Sequence, residues 1–176
     1  VKMSNSFARL TSSPGLFHAN LSFYAVPAAW ALSMLPHAYA MALYNKERAP
    51  GTNEWDAKLP KSNLTNVKDG GLSPAMQGRF ERAEAANDNS FVGLPLFAAA
   101  ILAGNMARLP ATVLNTAAVS YLAFRAAFVY LYINGETDGM AKARTGAWLG
   151  ASAACLTLFV KAGNAFRVGL SSIRQA

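Results

Sequence analysis

Several charged residues that could bind an anionic ligand lie directly before or inside long apolar stretches of this sequence. The segment RFERAEAANDNSFVGLPLF, residues 79–97, is charged in its first half and uncharged in its second. At about 3.6 residues per turn, one face of a helix here would carry Arg82, Ala85, Asn89 and Val92. The stripe beside this face is acidic and comprises Glu81, Glu84 and Asp88. Acids at this helical spacing repel one another, so they need cations or water as partners.

A second candidate cation, Arg125, lies in the middle of an apolar segment. Aromatic residues recur on its helix face, at Tyr121, Phe128 and Tyr132. A charge inside a membrane span is unfavourable, so Arg125 should face a protein interior or a wet cavity. It is therefore either a structural partner of the acidic stripe or a cation that binds a ligand.

A third cation, Arg144, precedes Trp148 by one helical turn. Arginine and tryptophan are both common at the boundary of a membrane, so Arg144 can be read as an interfacial anchor. It can also be read as a cation at the mouth of a cleft between subunits. Periodicity alone does not separate these two interpretations.

Long apolar helices must position these side chains. Of the 176 residues, 53% are hydrophobic and 14% are charged, which is too apolar for an ordinary soluble domain. A membrane span needs about 20 mostly apolar residues. The sequence predicts an all-α fold, an integral membrane four-helix bundle that forms one domain over residues 1–176. Its predicted spans are 21–43, 74–107 with a polar N-terminal half, 111–133 and 145–166, and residues 45–73 form a polar loop.

Other protein classes fit the sequence less well. A soluble helical bundle would need polar helix faces, which most of these spans lack. The single cysteine, Cys155, excludes an internal disulfide and a cysteine-rich metal site, and we predict no metal ligands. The net charge of +7 is not arranged as a basic stripe with interleaved aromatics, so we predict contact with anionic lipid of the bilayer and no nucleic-acid partner.

Basic residues near the spans predict the orientation, because they favour the cytoplasmic side. The side of the first and third loops has nine, at Lys46, Arg48, Lys58, Lys61, Lys68, Arg79, Arg82, Lys142 and Arg144. The other side has five, at Lys2, Arg9, Arg108, Arg167 and Arg174. The first and third loops should therefore be cytoplasmic. The sequon at Asn63 offers a check, since it should then stay unmodified.

Two segments of the chain resemble the MAPEG superfamily, the membrane-associated proteins of eicosanoid and glutathione metabolism. FERAEAANDNSFVGLPLF is similar to that family's second helix, and YLAFRAAFVYLYI is similar to its third. The resemblance covers residues 72–163, and the first span agrees only in hydropathy. It implies a homotrimer, similar to microsomal glutathione transferases, in the endoplasmic reticulum or alternatively the mitochondrial outer membrane.

The resemblance also implies an activity and a site. A glutathione-dependent transferase or peroxidase would bind glutathione, as cosubstrate, in a cytoplasm-facing cleft between subunits and act on a lipophilic small molecule. Glutathione-binding positions of the family match Arg82, Asn89, Arg125 and Tyr132, and Arg144 matches the catalytic arginine that stabilises the thiolate. Arginine can hold carboxylates through two parallel hydrogen bonds, and a nearby cation lowers the pKa of a thiol.

Three positions depart from the family pattern. Ala85 replaces a second arginine, Val92 replaces a glutamate and Phe128 replaces a tyrosine. Two charged contacts and a hydroxyl are therefore missing from the expected glutathione site. These departures favour an alternative, a non-catalytic member that binds lipids or serves as a scaffold, and a structural subunit of a larger membrane complex also remains open.

Overall fold

The computed structural model describes residues 19–173, with the backbone alone described at residues 60–61, 69–70 and 169–173. This part of the chain contains helices and no strand, which confirms the all-α class. A 3₁₀ turn at Ser22–Tyr24 precedes the first helix, and a π-helical turn at Val67–Gly71 follows the second. The helices are α1 (Ala25–Glu47), α2 (Pro60–Asn66), α3 (Pro74–Met106), α4 (Ala111–Asn134) and α5 (Asp138–Ile173).

Three of the helices in residues 19–173 are long and apolar enough to cross a membrane: α3, α4 and α5 as far as Val168. The chain is therefore an integral membrane protein. Helix α1 is 23 residues long, but it does not belong to this group. Pro36, His37 and a polar last turn interrupt its apolar residues. The predicted first span, residues 21–43, and with it the four-helix membrane bundle, stays a prediction.

Helix α5 begins at Asp138, before the point at which the predicted third loop ends. The carbonyl oxygen of Thr137 accepts a hydrogen bond from the amide of Ala141 at 3.0 Å, which closes the first turn. The acidic side chain of Asp138 also suits the positive end of the helix. The connection between α4 and α5 is therefore short, at residues 135–137, and Arg144 lies on the second turn of α5.

Helix α3 packs against α1, α4 and α5, and α4 packs along α5. Two clusters of buried side chains fill the spaces between the helices. The first cluster includes Phe97 and Tyr121, whose rings stack with centroids 3.8 Å apart. The second includes Tyr44, Phe80 and Phe128, and it lies at the end of the molecule where the first loop packs. This packing fixes the relative positions of α3, α4 and α5.

The first loop, predicted to be a polar surface loop, is folded against the second cluster. Val67 and Leu72 are buried there. The Trp55 ring lies with its centroid 5.9 Å from that of Tyr44 and 6.1 Å from that of Phe80. Residues 45–73 are therefore an ordered cover over this end of the helices.

Asn63, in the sequon of the first loop, has a structural role. The side chain is fully buried. Its Oδ1 accepts a hydrogen bond from the amide of Asp56 at 2.9 Å, and its Nδ2 donates to the carbonyl oxygen of Asp56 at 2.9 Å. A glycan on the Nδ2 of Asn63 would disrupt this packing, so the folded loop requires an unmodified amide.

Replacing Asn63 by alanine should loosen the first loop. Two hydrogen bonds are lost, and each contributes about 0.5–1.5 kcal/mol, so the free energy of unfolding should fall by about 1–3 kcal/mol. Thermal unfolding of the detergent-solubilised protein measures the change. Asn53→Ala is the control, since the Asn53 side chain is exposed and only its carbonyl is used, by the Tyr44 hydroxyl. Equal unfolding temperatures for the two variants would contradict this role.

Candidate functional site

A pocket of about 210 Å³ lies where the middle of α3 meets the end of α4 and the start of α5. Its lining contains guanidinium, amide, hydroxyl and indole groups, all of which can donate hydrogen bonds. No carboxylate belongs to the described lining. The pocket is therefore suited to a ligand with negative charge. It is lined by Asn89, Phe128, Tyr132, Arg144, Thr145 and Trp148.

Contacts among aromatic rings hold Arg144 at this pocket. Its guanidinium carbon lies 4.1 Å from the ring centroid of Tyr132, well within the range of a cation–π contact. The Phe128 ring meets the Tyr132 ring edge-on, with centroids 5.3 Å apart. Among the side chains that the structure describes, none of the salt bridges involves Arg144. Its N–H groups are therefore available to a bound anion.

Asn89 approaches the same pocket from α3. Its Nδ2 donates to the carbonyl oxygen of Ala85 at 2.8 Å and makes a longer contact of 3.4 Å with the Tyr132 hydroxyl. The side chain is exposed. Asn89 therefore has an amide oxygen and a weakly used N–H group beside Tyr132, where a ligand could bind them.

The short turn between α4 and α5 brings Tyr132 and Arg144 together. Gly135 occupies this turn, and a Cβ atom there would collide with the backbone oxygen of Leu131. A larger residue would force the backbone apart at this point. Glycine therefore permits the tight reversal that places the last turn of α4 beside the second turn of α5.

Two arginines fasten the start of α3 to the same turn. Arg82 donates from Nε to the carbonyl oxygen of Ile133 at 3.1 Å and from Nη2 to Glu136 at 2.9 Å. Arg79 donates from Nη2 to Oδ1 of Asn134 at 2.7 Å. Arg82 does not line the pocket in the described structure. It instead helps to hold the connection that supports Tyr132 and Arg144.

Arg125 lies beneath the pocket and is buried, with 4% of its surface exposed. Its Nη2 donates to the backbone oxygen of Asn89 at 2.8 Å, and its guanidinium carbon lies 4.5 Å from the Phe128 ring centroid. Glu84 of the acidic stripe pairs instead with His37, whose Nδ1 lies 2.9 Å from the Glu84 carboxylate. Of the two interpretations of Arg125, the geometry favours the structural one, with a backbone carbonyl as its partner.

Replacing Arg125 by alanine should destabilise the protein. The change removes a long buried side chain and its hydrogen bond to Asn89, so we expect the free energy of unfolding to fall by about 2–5 kcal/mol. Thermal unfolding in detergent measures it, with Arg167→Ala as the control because Arg167 is an exposed arginine on α5. An unchanged unfolding temperature together with lost ligand binding would instead make Arg125 a ligand contact.

The structure thus brings three of the five predicted site residues to one pocket: Asn89, Tyr132 and Arg144. Arg82 and Arg125 lie outside the lining and contact the backbone around it. The sequence did not identify Thr145 and Trp148 as lining residues. The one-turn spacing of Arg144 and Trp148 was visible, but it also fits a residue pair at a membrane boundary.

The positions that depart from the family pattern flank Asn89 on α3. Val92 is 79% exposed, and Ala85 is partly exposed. Residues three or four apart on a helix are neighbours on its surface, so both positions border the pocket. Neither position is fully buried, and Val92 in particular is open to a larger side chain.

Comparison with known proteins agrees with this architecture. The sequence profile of the MAPEG family matches residues 23–164, which include all five predicted site residues. No curated protein and no solved structure matches the chain. The profile covers well over half of the 176 residues, and it extends into α1, where the resemblance had rested on hydropathy alone. The chain therefore belongs to the MAPEG family.

Proposed function

We propose that this protein is a glutathione-dependent membrane transferase or peroxidase that acts on lipophilic electrophiles. One observation supports this proposal above the others: Asn89, Tyr132 and Arg144, from three different helices, converge on one pocket with no carboxylate in its described lining. Family membership supports a role connected with glutathione or eicosanoid metabolism. The specific activity is our inference from the pocket.

The chemical groups of the pocket fit glutathione. The tripeptide carries two carboxylates and a thiol, and the pocket supplies a guanidinium, an amide and a phenol. In the proposed mechanism, Asn89 and Tyr132 orient the peptide, and Arg144 holds the sulfur as a thiolate. A nearby cation lowers the pKa of a thiol, which raises the fraction of the reactive form at neutral pH. Holding that thiolate against the electrophile supplies the rest of the catalysis.

The size of the pocket supports a site shared between subunits, as in the homotrimer that we propose from the family. Ligand pockets usually enclose about 300–1,000 Å³, whereas this one has about 210 Å³. One chain would therefore supply part of the site, and a neighbouring chain would complete it. Val92 and Leu96 leave an apolar strip of α3 exposed beside the pocket, where such a neighbour could pack.

The proposal includes a location. Substrates that partition into lipid could reach the pocket from the bilayer, and glutathione would arrive from the cytoplasm if the first and third loops lie there. The distribution of basic residues supports this orientation. We propose the endoplasmic reticulum as the membrane, with the mitochondrial outer membrane as the alternative.

A non-catalytic, lipid-binding member is the second candidate. Ala85, Val92 and Phe128 leave the pocket with fewer polar groups than the family pattern provides. A separate pocket of about 250 Å³ between α1 and α4 has an almost wholly apolar surface, formed by residues such as Tyr24, Ala28 and Leu122. Such a surface suits an acyl chain.

Calorimetric titration of glutathione into the detergent-solubilised protein separates these candidates, with thiol ionisation followed by ultraviolet absorbance. We expect saturable binding between micromolar and millimolar concentration, with a thiolate signal. The stoichiometry, compared with the oligomeric state from light scattering, tests the shared site. No heat and no thiolate signal in millimolar glutathione would reject the enzyme and favour the lipid-binding candidate.

A further inference from the structure

A second polar feature lies at the first turns of α4, at the opposite end of that helix from the Arg144 pocket. A groove of about 390 Å³ separates the first turns of α4 from α5. Its polar lining consists of four hydroxyl side chains and one cation. The hydroxyls are those of Thr112, Thr116, Ser120 and Thr157, and the cation is Lys161.

The four hydroxyls of this groove have no hydrogen-bond partner in the part of the chain that the structure describes. Elsewhere in the protein, hydroxyls on the long helices donate to the carbonyl oxygen one turn earlier, as Ser33, Ser90 and Thr145 do. Thr116, Ser120 and Thr157 have the same option within their own helices but do not use it, and Thr112 lies too close to the start of α4 to have it. They are therefore available to a ligand that offers oxygen acceptors.

The depth of the groove matches the region of a lipid between its headgroup and its acyl chains. Thr112 and Ser120 are eight residues apart, which corresponds to about 12 Å along the helix axis. The polar layer on each side of a bilayer is only about 5–8 Å thick. The deeper hydroxyls would therefore reach hydrocarbon, where water cannot satisfy them, whereas the ester oxygens of a lipid could.

Charge indicates which lipid would be preferred. None of the salt bridges between described side chains involves Lys161. The side chain is exposed at the upper end of the groove, one turn after Thr157 on α5. Apolar residues that also line the groove, Ala117, Ala154 and Leu158, lie among the hydroxyls and provide surface for the first part of an acyl chain. This arrangement complements a phosphate at Lys161, with the ester groups and the start of the acyl chains deeper in the groove.

We propose that this groove is a binding site for an anionic phospholipid, with the phosphate at Lys161 and the ester oxygens at the hydroxyls of α4 and Thr157. The proposal is independent of glutathione chemistry, because the groove and the Arg144 pocket share no residue. Lysine near a membrane surface attracts anionic lipid generally. The hydroxyls make this site specific for a lipid instead of any anion.

Native mass spectrometry of the full chain tests the proposal, using micelles that contain phosphatidylglycerol and phosphatidylcholine with identical acyl chains. The protein should retain phosphatidylglycerol in preference to phosphatidylcholine. Lys161→Gln should lower that preference by about five-fold, the contribution expected of one lysine near a membrane surface. Lys142→Gln is the matched control, because Lys142 is an exposed lysine near the opposite end of α5, away from the groove hydroxyls, and it should lower the preference clearly less than Lys161→Gln does.

A second variant keeps the charge and removes hydroxyls. Thr116→Val combined with Ser120→Ala should weaken retention of both lipids while the preference between them persists. This variant tests the site even if Lys161→Gln does not fold. Unchanged retention in it, or no preference in the wild-type protein, would overturn the proposal.

Two further outcomes would assign the groove differently and so overturn the proposal. Displacement of the retained lipid by excess inorganic phosphate would mean that the groove binds a free anion. Cross-linking between two chains through Thr157→Cys would mean that a second copy covers the groove. We expect neither outcome.

Discussion

Replacing Arg144 by alanine is expected to remove the thiolate absorbance of bound glutathione and to lower the turnover of a lipophilic electrophile by about 100-fold or more. Arg144 is the one cationic side chain in the described lining of the pocket, so no other lining residue offers a positive charge to the thiolate. Binding of glutathione should weaken by about 10- to 150-fold, the effect of one charge-assisted hydrogen bond.

Two further variants make this test specific. Lys142→Ala removes an equal charge two residues earlier on α5, at an exposed position outside the pocket, and should leave binding and turnover unchanged. Arg144→Lys keeps a cation but loses the planar guanidinium that lies over Tyr132, so it should restore the thiolate signal only in part. Full activity in Arg144→Ala would exclude Arg144 from the catalytic role.

Restoring the family pattern on α3 should produce an equally large effect in the opposite direction. The double substitution Ala85→Arg and Val92→Glu adds two charged contacts beside Asn89. Each charge-assisted hydrogen bond contributes about 1.5–3 kcal/mol, so glutathione should bind about 100-fold tighter or more. Titration calorimetry measures the change. Both positions are at least partly exposed, so the new side chains should be accommodated.

The matched control exchanges the two charges, as Ala85→Glu and Val92→Arg. This control has the same composition and the same net charge, but the positive and negative side chains exchange places relative to the bound glutathione. It should therefore bind glutathione no tighter than the wild-type protein does. Equal tightening in both double variants would show that the effect is one of general charge and that the pocket does not hold glutathione in the proposed register.

The bounds of the two central helices lie close to those of the second and third predicted spans. Helix α3 begins at Pro74, where the second span begins, and ends one residue before the predicted boundary at residue 107. Helix α4 begins at Ala111, the predicted start of the third span. The start of α5 was predicted too late, at residue 145, because Gly135 and Gly139 suggested a turn. Thr137 nevertheless caps the helix by accepting from the amide of Met140 at 3.3 Å, and threonine is a common first residue before a helix.

Residues of the candidate site could be identified where their spacing within one helix forms a pattern. Contacts between two helices could not be predicted in this way. Asn89, Tyr132 and Arg144 were identified by helical spacing and family resemblance, and they do line one pocket. The partners of Arg82 and Arg125 were not predictable. Both donate to backbone carbonyls of another helix, and such acceptors have no signature in the sequence.

The ordered first loop affects how the orientation of this protein in the membrane can be established. Protease accessibility is a common means of mapping topology, and Arg48, Lys58 and Lys68 make this loop resemble a good substrate for trypsin. Cleavage requires backbone that is exposed and free to unfold locally. Buried Val67 and Leu72, together with the amide of Asn63, restrain this segment. An uncut loop in the native protein would consequently reflect its folding, whichever side of the membrane the protease had reached.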